Sequence, residues 1–259
     1  MTNPASLTRR SALTGLAAVA IGLRLSTPAR ANAPLLFVHG EDRRPMSWIG
    51  GDGEPEGLKI EILNLVLGAA GVPVRHQCLP WARAIQSVYN GEADGLLSVT
   101  SEERRRWIRF AETPMIEDEA RLYYRRDNPR AALIAAIKTV EDMAAFKVSE
   151  ALSGPWSAAN TPNLPLDLVP NQPIAFRKMV NRRTDIAIIN ELAANALTRA
   201  EPALGELAYV RAPLDSRSRY FIGLRANAPN CDALLARFDQ VARAPEIAQS
   251  LSALCKKYI

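Results

Sequence analysis

Three consecutive arginines, Arg104-Arg105-Arg106, follow the turn Ser101-Glu102-Glu103, with hydroxyls at Ser98, Thr100 and Ser101 just before them. A guanidinium is planar and grips a carboxylate through two parallel hydrogen bonds. A helix N-terminus at this turn favours an anion as well. The competing reading is a solvated basic helix start, and Arg105 and Arg106 are read that way. Trp81 opens a predicted helix just after Pro80. Its indole can stack on a planar solute or take a cation on its face, or it can simply fill a core. Asp42 is either a reader of a basic ligand group or a solvated loop carboxylate. These residues bind rather than react. The sequence has no G-x-S-x-G, no phosphate-binding glycine loop and no metal-ligand spacing, since its two histidines are His39 and His76. No cofactor is expected.

The elements that must position these groups alternate between strand and helix. Leu35-Leu36-Phe37-Val38 reads as a first strand, followed by a polar, Gly- and Pro-rich loop to Glu56. Leu58 to Ala70 carries apolar residues at Ile60, Leu63, Leu67 and Ala70 with Gly71 behind it, a helix with a glycine stop. Val72 to His76 begins a strand. Trp81 to Asn90 is a helix closed by Gly91, and Asp94 to Val99 is a third strand. Arg121 to Arg126 reads as the strand that leaves the first half. The pattern then repeats with a helix (Ala131 to Ile137), a strand near Val148, a helix (Ile174 to Asn181) and a strand (Thr184 to Ile189). Arg219 to Leu224 is a return strand, and two helices end the chain. Such alternation implies α/β units with mostly parallel sheets.

The order of several short motifs is similar to that of the family-3 extracytoplasmic solute-binding proteins. The motifs are the unit Gly57 to Ala70, Pro80-Trp81-Ala82-Arg83-Ala84, Gly91-Glu92-Ala93-Asp94-Gly95, Ser101-Glu102-Glu103-Arg104 and Phe110-Ala111-Glu112-Thr113-Pro114. The resemblance implies an α/β, two-lobed periplasmic binding protein fold: two mostly parallel sheets flanked by helices and joined by a two-strand hinge. Residues 34–124 would form lobe one, 125–217 lobe two, and 218–259 the return to lobe one. It also implies that Arg104 anchors a ligand carboxylate, with Ser98, Thr100 and Ser101 beside it, although the interval from Asp94 to Arg104 is about two residues short of the family pattern. Trp81 would form a pocket wall, Trp48 an aromatic lid, and Ser153 part of a loop closing over the ligand. Amino-acid receptors of the family hold the ligand ammonium with an aspartate five residues after the one matched by Asp185. Here that position is Asn190, followed by Glu191. An amide gives an ammonium no counter-charge, which disfavours free amino acids unless Glu191 turns inward.

The implied partners are a small carboxylate-bearing solute and an ABC permease, with no nucleic acid, no membrane insertion and a monomeric state. Two other readings stay open. One is a periplasmic enzyme similar to cyclohexadienyl dehydratases, for which Glu112, Glu150 and Glu191 are the nominated acids. The other is a sensory or assembly-associated receptor without a permease.

Residues 1–31 read as an export signal: Arg9-Arg10, a short apolar run from Ala12 to Leu23, and cleavage after Ala31. The arginine pair suggests the twin-arginine route, with an ordinary secretory signal as the alternative. Without Arg9, Arg10, Arg24 and Arg30, formal net charge drops from +5 to +1, so the basic composition does not point to nucleic acid. In an oxidising compartment Cys231 and Cys255, at the outer ends of the last two predicted helices, could pair; otherwise Cys78, Cys231 and Cys255 are small buried hydrophobes.

Overall fold

Glycines and caps set the starts and stops of the helices that frame the candidate site. The computed structural model describes residues 33–152, 164–201, 206–213 and 216–258. The predicted export signal and Ser153, with Gly154-Pro155-Trp156, lie outside these residues. Helix α1 (Leu58–Ala69) begins at Gly57, whose φ is 121°, and a Cβ there would sit 2.7 Å from the Met46 carbonyl. Helix α2 (Trp81–Asn90) starts after Pro80 and ends at Gly91 in the left-handed region, φ 80°. Helix α3 (Glu102–Arg105) is a single turn capped by Ser101, whose hydroxyl accepts from Arg104 N–H at 3.3 Å.

Two parallel strand groups stand either side of a pair of long antiparallel strands. In the first group β1 (Leu35–Gly40) lies between β5 (Val74–Leu79) and β6 (Gly95–Ser98), parallel to both. In the second, β9 (Val148–Ala151) lies between β10 (Leu166–Val169) and β11 (Ile186–Asn190), again parallel to both. The long strands are β8 (Ile116–Arg125) and β13 (Arg217–Arg225). Their first halves pair with each other, Arg217 opposite Glu119 through Tyr220 opposite Ile116. Their second halves diverge: β13 continues along β6, Phe221 opposite Ser98, and β8 continues along β11, Ala120 opposite Asn190. The register therefore brings the C-terminal ends of β6 and β11 to the two ends of one short shared ladder. Ligands of open α/β sheets bind outside the carboxyl ends of their strands. This is the mixed α/β fold that the alternation of elements predicts.

Each strand group has its own core. Phe37, Ile62, Leu63, Leu67, Ile222 and Phe238 belong to one apolar cluster, which includes α1, α8 (Cys231–Arg243) and α9 (Pro245–Tyr258). Leu122, Ile134, Met143, Val148, Ile186 and Ile188 form another around β8, β9 and β11. A third gathers Ala175, Phe176 and Met179 of α6 (Gln172–Val180) on the opposite face. Several elements are longer or additional relative to the sequence expectation. The loop to Glu56 forms three short strands, β2 (Asp42–Arg43), β3 (Ser47–Ile49) and β4 (Pro55–Glu56), and Asn190 leads into α7 (Glu191–Ala200). Among the described residues no helix is long and apolar enough to cross a membrane.

The suggested Cys231–Cys255 bridge is not formed: both thiols, and that of Cys78, are free. The end of α9 is drawn instead to α1, where Tyr258 Oη donates to Glu61 at 2.6 Å and Lys257 Nζ pairs with it at 2.8 Å. Arg199 of α7 adds a bond to the Lys257 carbonyl at 3.1 Å. Both cysteines pack as apolar groups, and burial raises their thiol pKa values. Protein unfolded without reductant is expected to take up three equivalents of an alkylating reagent. A linked Cys231–Cys255 peptide in a mass map would overturn this.

Candidate functional site

The site is built from residues just past the C-terminal ends of β1, β5 and β6. After β1 the chain turns into β2, and Ser47 Oγ ties the small hairpin back by donating to the Gly40 carbonyl at 2.8 Å. After β5 comes Trp81, and after β6 come Thr100, Ser101 and Arg104. The Arg104 side chain folds back, Nη1 donating to the Val99 carbonyl at 2.9 Å, and its Cζ lies 5.5 Å from the Trp81 ring centroid. Among the described residues no carboxylate lies within ion-pair distance of it. Burial lowers its pKa, Glu103 acts in the opposite sense, and Arg43 lowers it further.

Two more cations share the same indole. Arg43 Cζ stands 5.5 Å from the Trp81 centroid and Lys59 Nζ 5.8 Å from it. Lys59 also lies 5.0 Å from the Tyr220 ring centroid, on β13 in the shared ladder. Lys59 is only 4 % exposed and, among the described residues, has no carboxylate partner. Two partly buried cations contrast with it: Arg121 pairs with Glu191 at 2.8 Å, and Lys178 with Asp167. Burial, with Arg43 and Arg104 nearby, brings the Lys59 pKa down to about 7.

The other residues expected from the sequence are spread around this centre. Ser98 is buried and donates to its neighbour's carbonyl, Val99, at 2.9 Å. The Ser101 hydroxyl is spent on its cap, and Thr100 is half-buried between the two. Trp48 is half-buried in β3 with the Arg44 guanidinium 4.5 Å from its centroid, and Asp42 is exposed opposite it in the β2–β3 ladder. At the other end of the shared ladder Asn190 is buried. Its Oδ1 accepts from Gln172 at 2.6 Å, while Nδ2 lies near Asp118 but outside hydrogen-bond geometry and has no partner. Glu191 turns to Arg121 rather than inward.

Lys59, Arg43, Tyr220 and Asp118 were not singled out from the sequence. The available signal was a lysine at Leu58-Lys59-Ile60, inside an otherwise apolar helix start. Asp118 is buried on β8 beside Asn190. Its Oδ1 accepts from Leu192 N–H at 3.2 Å, and burial raises its pKa to about 7.

Residues 35–259 match the model of the bacterial extracellular solute-binding proteins, family 3. No curated protein matches the chain. Among solved structures, a histidine kinase sensor domain with similarity to periplasmic binding proteins shares 22% identity, covering 88% of this chain and 96% of that one, TM-score 0.70. The arginine-, lysine-, histidine-binding protein ArtJ from Geobacillus stearothermophilus shares 16%, covering 88% and 95%, TM-score 0.67. The ancestral amino acid-binding protein AncCDT-1, a precursor of cyclohexadienyl dehydratase, shares 19%, covering 87% and 94%, TM-score 0.66.

Proposed function

We propose that this chain, which belongs to the family-3 bacterial extracellular solute-binding proteins, captures a small carboxylate-bearing solute where its two parallel strand groups end, and delivers it outside the cytoplasm to an ABC permease. The observation that carries this reading is Arg104, half-buried and oriented by the Val99 carbonyl and Trp81, with no acid of its own among the described residues. An arginine so placed has N–H groups to offer a carboxylate and an aromatic wall beside it. Ser98 and Asn190 stand at opposite ends of the β8–β13 ladder, so one solute can draw on both strand groups and hold them closed.

ArtJ and AncCDT-1 are described as binders of amino acids. For this chain the amide of Asn190 and the engagement of Glu191 with Arg121 argue against an ammonium-bearing ligand. The acids that a dehydratase would draw on sit apart. Glu112 is exposed and paired with Arg243, Glu191 is paired with Arg121, and Glu150 is buried in β9. That arrangement favours binding over catalysis.

Protein taken from the periplasm and denatured is expected to release a small carboxylate by mass spectrometry. Calorimetry with that compound should give one site per chain. The reading fails if no carboxylate is released and none from a broad panel binds.

A further inference from the structure

The most buried cation of the described residues sits in the candidate site and is matched by no acid. A buried charge that is neither paired nor hydrogen-bonded is costly, and folded chains normally place a counter-ion beside it. Arg121, a partly buried cation, follows that rule through its pair with Glu191. Lys59 does not. Its Nζ is instead held over the rings of Trp81 and Tyr220, with the Arg43 and Arg104 guanidiniums around the same indole. Aromatic faces stabilise a cation without neutralising it, so Lys59 still has no counter-charge among the described residues.

We propose that the natural ligand is a small dianion of the dicarboxylate class without an ammonium group, one carboxylate on Arg104 and the other on Lys59. This rests on the reading of the cleft as a carboxylate-binding site and narrows its substrate class. A single carboxylate on Arg104 would leave the ammonium form of Lys59 without a partner in the closed protein. An α-amino acid would bring its own cation beside the Arg104 and Arg43 guanidiniums. A second carboxylate gives Lys59 a partner, and its desolvation is offset by charges fixed before it arrives.

Binding should then involve a proton. The groups facing Lys59 are Arg43 of β2, Arg104 of α3, His39 of β1, Trp81 of α2 and Tyr220 of β13. Burial keeps the His39 pKa well below its ordinary value and raises that of Tyr220, so both are neutral at pH 8. The arginines stay charged. Lys59, at about 7, is mostly neutral at pH 8 when the site is empty, and a carboxylate beside it favours the ammonium. The proton taken up on binding goes to Lys59 Nζ.

The test is calorimetry at pH 8 on the mature chain. The panel contains dicarboxylates of three to six carbons, the monoamide of each, simple monocarboxylates and α-amino acids. At least one dicarboxylate is expected to bind ten-fold or more tighter than its own monoamide. Repeating the titration in buffers of different ionisation enthalpy should show uptake approaching one proton. Lys59→Met should bring the dicarboxylate-to-monoamide ratio close to one and abolish the uptake. Lys59→Gln serves as a second variant, and both are checked by circular dichroism. The inference is overturned if amino acids or monocarboxylates bind while no dicarboxylate exceeds its monoamide, or if Lys59→Met leaves ratio and proton uptake unchanged. If nothing in the panel binds the folded chain, the carboxylate-binding reading fails with it.

Discussion

Replacing Arg104 by alanine is expected to weaken binding of the co-purified solute by roughly 2–4 kcal/mol, leaving its carboxylate in the site without the fork that paired it. The position explains the size of the effect. Ser101 caps the turn, Val99 holds one guanidinium nitrogen, and Trp81 lies alongside, so the group is oriented before any ligand arrives. Arg104→Lys should recover only part of the loss, because a point charge cannot bond bidentately. Arg105 and Arg106 are exposed on the same turn and act as controls, each expected to change affinity by less than about 1 kcal/mol when made alanine. Calorimetry on the four variants checks this. An Arg104→Ala protein with wild-type affinity would remove the anchor.

Asp118→Asn is expected to stabilise the protein at pH 8 by about 2–4 kcal/mol while changing little at pH 4. Asp118 is 6 % exposed, and burial raises its folded pKa from the usual carboxylate range to about 7. Between these values the folded state holds a proton that the unfolded chain has released. The parent therefore loses stability as pH rises through that window, and above it carries the full cost of a buried carboxylate. Asparagine carries no charge at either pH and can still accept the Leu192 N–H through its Oδ1. Urea unfolding of both proteins at pH 4 and pH 8 measures the difference. A gap that is the same at both values, or an asparagine variant less stable at pH 8, would mean that Asp118 is not protonated in the fold.

The parts of this structure visible in the sequence are those with local causes. Pro80 and Gly91 bracket α2, and Gly57 and Gly71 bracket α1, because a fixed or positive φ is a property of single residues. Arg104 stood out from Arg105 and Arg106 through the resemblance of Ser101-Glu102-Glu103-Arg104 to the family motif. Lys59 did not, since a lysine near a helix start is ordinarily solvated. Its burial depends on Trp81 and Tyr220, which are distant in sequence and arrive only when α2 and β13 pack. The three small strands within residues 42–56 were hidden for a similar reason. They exist through pairings such as Asp42 with Trp48 and Trp48 with Glu56, not through an alternating pattern of their own. The unbridged cysteines point in the same direction: helix lengths suggested where two ends would meet, whereas the bond from Tyr258 to Glu61 of a third helix depends on contacts distant in sequence.

Trp81 has a consequence of an optical kind. An excited indole shifts its charge distribution, so the colour and strength of its emission follow the electric field across the ring. Three cationic groups lie around this ring, with Arg104 and Arg43 each 5.5 Å from its centroid and Lys59 5.8 Å away. An anion seated among them, as proposed above, would oppose that field. Trp81, one of four tryptophans in the chain, would thus act as a built-in voltmeter: its share of the emission would read the charge of whatever occupies the site, with no label attached.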